Sequence, residues 1–219
     1  MKRLMSSLAA AAALAVAGSA SAVTLTPNDQ VPLPGTTVAA EPQLAGTVLE
    51  DWVQPFSYTN DDATGTISGT VQSRVVRSTL DGTLDFYWRV VSDATSAGSI
   101  TALRLGGFLT DVYNANYRTD GLGSNAPDFA RLFSGGGGNV NFVFNTAASS
   151  IGADESSFFL LLDTDATNYS SNGVYDLSSA VAISQTYATF IPAPVPEPGT
   201  YAMLGLGLAV LVAGRRFKR

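Results

Sequence analysis

From residue 65 onward, apolar and polar side chains alternate with a period of two in several separate runs. Gly65, Ile67, Gly69, Val71, Ser73 and Val75 stand against Thr64, Thr66, Ser68, Thr70, Gln72 and Arg74. Leu84, Phe86, Trp88 and Val90 stand against Asp85, Tyr87 and Arg89. Val140, Phe142 and Phe144 alternate with Asn139, Asn141 and Asn145, and a weaker run pairs Val181, Ile183, Gln185 and Tyr187 against Ala182, Ser184 and Thr186. Successive side chains of a strand point to opposite faces, so each run predicts a strand with one face on a core and one in water. Phe158 to Leu162 is apolar without interruption and predicts a strand covered on both faces.

Turn residues punctuate the runs: Asp81-Gly82, Ala97-Gly98-Ser99, Ser134 to Asn139, and Ser171-Asn172-Gly173. Asp81-Gly82, between two strand-like runs, is a hairpin signal. No part of the body sustains a 3.6-residue period. The expected fold is all-β: an antiparallel β-sandwich of roughly seven to ten strands, with a jelly roll or barrel as the alternative. The sandwich is expected over residues 44–191. Residues 23–43, with Pro27, Pro32, Pro34 and Pro42, read as an extended lead-in, and Ile191 to Pro198 as a stiff polyproline-like stalk.

Both ends depart from the strand pattern. Met1-Lys2-Arg3 is a basic start, Leu4 to Ala17 is apolar, and Gly18 to Ala22 is small, with Ala20 and Ala22 in an A-x-A arrangement. These are the three parts of a secretory signal helix, residues 1–22, with signal peptidase expected to cut after Ala22.

At the other end, residues 192–219, Val195-Pro196-Glu197-Pro198-Gly199-Thr200 precedes an uncharged apolar helix predicted over 201–214. Arg215, Arg216, Phe217, Lys218 and Arg219 close the chain as a basic stop held on the cytoplasmic side. A helix rises about 1.5 Å per residue, so this stretch reaches about 21 Å against a hydrocarbon core of about 30 Å. Such a length suits a temporary hold on the inner membrane better than a lasting anchor. Taken together, Pro196-Glu197-Pro198, the Gly-bearing apolar stretch and the terminal Arg cluster resemble the PEP-CTERM sorting signal. The resemblance implies recognition by exosortase, cutting near Pro196-Glu197-Pro198, and delivery to the cell surface or beyond. Proteins of that kind are linked to exopolysaccharide and biofilm matrix. Val71 to Arg77 and Gly82 to Val90 resemble the bodies of other PEP-CTERM proteins, which names a type of exported β domain and no activity.

Charge and composition narrow the chemistry. Charged residues make up 14% of the chain, against about 25% in ordinary domains. Between Val23 and Val195 there are six Arg, no Lys and 17 acids, a net of 6 − 17 = −11. Such a body repels nucleic acid, which is not expected as a partner. The chain has no Cys and no His. That excludes disulfides, a Ser-His-Asp triad, a Cys nucleophile and an ordinary zinc site.

The remaining candidates are few. Ser134 to Asn139 is Gly-rich, but the Lys-Ser/Thr and helix of a phosphate loop do not follow. Asp163-Thr164-Asp165 begins like a Ca²⁺ loop, with Asp61, Asp62 or Asp154 as possible helpers. It lacks the central Gly and closing Glu of an EF-hand, and a solvated turn is the plainer reading. Seventeen acids make some carboxylate pair unavoidable, so a pair alone is no sign of glycoside hydrolysis. Trp88 and Phe86 fall on the core side of their strand. Tyr87, opposite them, and Tyr113 and Tyr117, in an Asn-rich loop, are the candidate contacts for a sugar ring. Asn168-Tyr169-Ser170 matches a glycosylation sequon of low specificity. No catalytic residue and no cofactor is expected. The function expected is a non-catalytic surface or matrix protein associated with exopolysaccharide. A carbohydrate-binding module, or a carboxylate-dependent enzyme acting on polysaccharide, stands as the alternative.

Overall fold

The computed structural model describes residues 21–59, 65–109, 113–133 and 139–193. Twelve strands lie within them: β1 (Val23–Thr24), β2 (Gln30–Val31), β3 (Gly46–Thr59), β4 (Thr66–Ser78), β5 (Leu84–Ser92) and β6 (Ala102–Gly106), then β7 (Asn114–Arg118), β8 (Phe129–Phe133), β9 (Asn139–Val143), β10 (Phe159–Asp163), β11 (Tyr169–Ser178) and β12 (Tyr187–Pro192). They form two six-stranded sheets, one in the order β1-β7-β10-β5-β4-β3 and the other β12-β11-β6-β9-β8-β2. The ladders within both sheets are antiparallel. Neither sheet closes into a barrel, so the expected sandwich architecture holds in its coarse form. Among the described residues the only helical element is a 3-10 turn at Pro42–Leu44, and no helix is long and apolar enough to cross a membrane. The expected signal helix through Ala20, the Gly-rich residues 134–138, the Pro196-Glu197-Pro198 motif and the apolar helix 201–214 lie outside the described residues.

Alternation places the core. Ile67, Val71 and Val75 of β4 and Leu84, Phe86, Trp88 and Val90 of β5 face inward from the first sheet. Leu103 and Leu105 of β6, Val140 and Phe142 of β9, and Tyr175 and Leu177 of β11 meet them from the second. The unbroken apolar run forms β10, whose Leu160, Leu161 and Leu162 are all fully buried. Its outer face is covered by Leu44, Tyr87, Val76 and the half-buried Val38, a second, smaller apolar cluster. Asp81-Gly82 makes the β4–β5 turn, with Gly82 at φ +79°, where a side chain would be strained.

Three expectations are corrected. Residues 23–43 are not merely a lead-in: β1 and β2 enter one sheet each, Leu25 and Leu33 join the main core, and residues 36–44 lie over the outer face of the first sheet. The 181–187 run is not a strand until Tyr187, and its phase is reversed. Ala182 and Ser184 are buried while Val181 and Ile183 are exposed. The reason is local: the Ser184 N–H donates to the Leu177 carbonyl, and the Leu177 N–H donates to the Ser184 hydroxyl. The Asn-rich segment 114–118 is a strand, β7, paired on both sides.

β3 carries no clean alternation and holds Pro55, which cannot donate to a ladder. It forms because it is the edge strand and needs only one partner, β4.

A polar bridge crosses the otherwise apolar interior. Trp88 Nε1 on β5 donates to Thr189 Oγ1 on β12 at 2.7 Å, and Thr189 Oγ1 donates to Ser73 Oγ on β4 at 3.3 Å. All three residues are at most 1% exposed. Thr189→Val keeps the shape and leaves the Trp88 N–H buried without a partner, at a cost of about 1–3 kcal/mol. Thermal melts should show Tm lowered by about 2–10 °C for Thr189→Val, with Thr189→Ser close to the parent.

Candidate functional site

The antiparallel register sorts the outer face of the first sheet into rows. Val76, Asp85, Asp163 and Asn114 form one. Asp51, Arg74, Tyr87, Leu161 and Asn116 form the next. Beyond it, Gln72 is the register partner of Arg89, and Phe159 that of Arg118. An acidic row and a basic region thus lie one strand repeat apart on the same surface.

In the acidic row, Asp85 and Asp163 sit directly opposite each other on β5 and β10. Asp85 is 1% exposed, and Asp163 is half-buried. Two carboxylates at this spacing cannot both ionise without strong repulsion. Burial pushes the Asp85 carboxyl up to about 8, and the charge of Asp163 adds to it. Asp163 is also raised, by burial first, with the Asp85 hydrogen bond offsetting part of it. Asp85 therefore holds a proton at neutral pH. Glu41, 4% exposed, adds its charge nearby and accepts the Ala22 N–H at 2.7 Å on Oε1. The residue expected to precede the signal cut is therefore tied to the fold, while Ala20 lies outside the described residues.

The basic region surrounds Phe159. The Arg74 guanidinium lies 5.0 Å from its ring centroid, and Tyr87 packs edge-on against it at 6.4 Å. Arg74 pairs with Asp51 at 2.7 Å, and Arg118 with Asp120 at 2.6 Å. Arg89 donates to the Ser156 hydroxyl at 2.8 Å. Asp51 is held below the ordinary carboxylate value: burial alone would raise it, and the Arg74 and Gln72 hydrogen bonds outweigh burial. A cleft of about 250 Å³ opens here, lined by Arg74, Arg118, Tyr87, Phe159 and Leu122 among others.

The second sheet has its own polar row, Asp176, Arg104, Asn141, Arg131 and Gln30, set by register across five strands. Arg104 Nε donates to Asp176 at 2.5 Å, and Arg131 stacks 4.2 Å from the Phe133 centroid. A groove of about 330 Å³ runs beside them.

The sugar-contact candidates change most. Tyr87 is on the predicted face but 3% exposed, and its hydroxyl donates to the Leu44 carbonyl at 3.1 Å. Tyr113 is 2% exposed in the main core, edge-on to Phe108 at 5.5 Å. Tyr117 is half-buried and stacked on Phe158 at 5.6 Å, and an added Cβ on Gly35 would come within 2.7 Å of its ring. Tyr87 and Tyr113 present no free ring face. Asp163 turns toward Asp85 rather than into a loop with Asp165, which is exposed. Among the described residues no group of three or more acids is arranged to hold a metal ion. The helpers Asp61 and Asp62 lie outside those residues. Sequence reasoning missed the Arg cluster. The signal was the scarcity of Arg: three of the body's six fall at outward positions on β4, β5 and β7.

Fold and surface together describe a two-sheet β domain, and the chain continues into a separate C-terminal address. That address is a PEP-CTERM protein-sorting motif, matched by the family model over residues 194–219. The match contains Pro196, Glu197 and Pro198 and the basic cluster Arg215, Arg216, Lys218 and Arg219. The motif marks an exported, exosortase-dependent protein with a cell-surface or extracellular destination. The chain has no significant match among curated proteins or solved structures.

Asp85 gives a pH signature. Its unfolded counterpart loses its proton near pH 4, whereas the folded residue keeps its own up to about pH 8. Between those values the folded state binds more protons, so stability falls as pH rises. Urea titrations should find the protein less stable at pH 9 than at pH 5 by on the order of 3 kcal/mol. Asp85→Asn, which is neutral throughout, should remove most of that difference and be the more stable form at pH 9.

Proposed function

We propose that this chain is an exosortase-processed protein of the cell surface or extracellular matrix, with a non-catalytic role in association with exopolysaccharide. The sorting motif at 194–219 carries the reading. Signal peptidase at Ala22 and exosortase near Pro196-Glu197-Pro198 act in turn on the two ends. The apolar stretch 201–214 holds the chain at the inner membrane between those events, and the body then joins the outside material.

The body supports a role in binding or structure rather than turnover. It has no His or Cys. One carboxyl pair, Asp85 and Asp163, lies on neighbouring strands with Asp85 1% exposed. A glycosidase pair must instead flank a scissile bond across an open site at about 5–10 Å. The polysaccharide-binding alternative keeps a specific observation in its favour, the Arg-lined cleft beside Phe159. It does not rest on Tyr87, Tyr113 or Tyr117.

Intact mass measured from cells with and without exosortase tests both ends together. With exosortase, the mature species should begin at Val23 and lack the basic cluster. Without it, the same start should be joined to a chain ending at Arg219, retained in the membrane fraction. Identical C-termini and identical localisation in the two strains would refute the exosortase step.

A further inference from the structure

We propose that the cleft around Phe159 is a binding site for a carboxylate-bearing polysaccharide, taking one uronate unit at a time. This rests on the matrix reading above and names the class of polymer that the body would hold.

The case begins with where the cations are. The body carries a net charge of −11 and only six Arg. Arg74, Arg89 and Arg118 nevertheless share the outer face of one sheet, and Arg74 and Arg118 line the cleft beside Phe159. Two have carboxylate partners, Asp51 and Asp120, while Arg89 is met by the neutral Ser156 hydroxyl. Half of the body's Arg are therefore gathered on one face, beginning one strand repeat from the Asp85–Asp163 pair.

Arg74 and Arg118 line the cleft with side chains 28% and 20% exposed. Arg74 commits Nη2 to Asp51 and Arg118 commits Nε to Asp120, and a guanidinium carries five donors in all. A carboxylate is the group that a planar guanidinium binds best, through two parallel hydrogen bonds.

Shape narrows the ligand further. The floor is apolar, made by Phe159, Tyr87 and Val76, and the rim is made by Arg74, Arg118 and the exposed Leu122. An apolar floor beneath a cationic rim fits a ring with a C–H face and a charged substituent. A bare inorganic anion leaves the floor unused. The volume, about 250 Å³, lies just below the roughly 300 Å³ at which pockets for larger ligands begin. It therefore suits one sugar unit of a polymer lying across the sheet.

The test uses the full chain in nonionic detergent, titrated with polygalacturonate or alginate, with dextran as the neutral control and dextran sulfate and single-stranded DNA as anionic controls. Leu122→Glu places a carboxylate on the rim at a side chain that is 62% exposed, so no buried contact is lost. Leu109→Glu makes the same charge change at another exposed Leu outside the cleft. The expected result is polyuronate binding that weakens at least tenfold in Leu122→Glu and in the Arg74→Gln, Arg118→Gln double variant, with Leu109→Glu within twofold of the parent. Dextran should not bind, and the two anionic controls should bind at least tenfold more weakly than polyuronate. No polyuronate binding, equal binding of any control polymer, or an unaffected Leu122→Glu variant would each overturn the proposal. Because the tail is intact throughout, lost binding says nothing against processing, and failed processing in cells says nothing against the cleft.

Discussion

Among the described residues a fully buried polar bridge, Trp88–Thr189–Ser73, ties the two sheets together, with part-buried hydrogen bonds from Tyr169 to Glu50 and from Tyr175 to Gln54 beside it. Apolar packing alone sets the distance between sheets but tolerates sliding, because dispersion contacts have little directionality. A buried N–H with a single acceptor does not tolerate it: a shift of one residue leaves Trp88 unsatisfied. The bridge therefore fixes β12 against β4 and β5, and with it the register in which Trp52 meets Phe190 at 4.2 Å. With no Cys in the chain, such bridges and the core do the work that disulfides do in many exported domains.

That rigid interior lets the outer face of the first sheet hold opposed charges side by side. Asp85 and Asp163 are kept together by the β5–β10 register, and Arg89 on β5 and Arg118 on β7 lie two outward positions further along the same face. Neither group could choose a less strained position without moving a core residue, because outward and inward side chains alternate on the same backbone. The carboxyl pair relieves its repulsion by keeping a proton. The Arg side chains relieve theirs by recruiting Asp51 and Asp120 from the margins.

Period-two alternation made β4, β5 and β9 legible because each has one face in the core. The run at 158–162 was legible because it has two. Alternation speaks only of which residues share a face, and it is silent on what covers the other one. Tyr87 was placed on the right face, yet the Leu44 turn, which comes from a Pro-rich stretch without periodicity, buries it. Tyr113 and Tyr117 were hidden differently: the Asn-rich β7 has Asn114 and Asn116 at its outward positions, so its polarity imitates a loop. The phase error at 181–187 came from reading Val181 and Ile183 as core. Short Ala182 and Ser184 close the turn instead, and hydrogen bonds outweighed hydropathy. The sorting tail was legible as an order of parts, which needs no fold.

The junction between body and tail follows from proline chemistry. The final backbone hydrogen bond of the fold is donated by Ala193 to the Asn168 carbonyl at 2.9 Å. Pro192, Pro194, Pro196 and Pro198 then occupy every second position. A strand alternates the direction of its N–H groups, so proline at every second residue removes every donor along one edge. Ala193 donates toward β11, so the donors lost at the even positions are those of the opposite, free edge of β12, and the sorting motif begins at residue 194. A free edge stripped of donors in this way cannot template pairing with another chain, so the proline spacing guards the sheet where the sorting motif takes over.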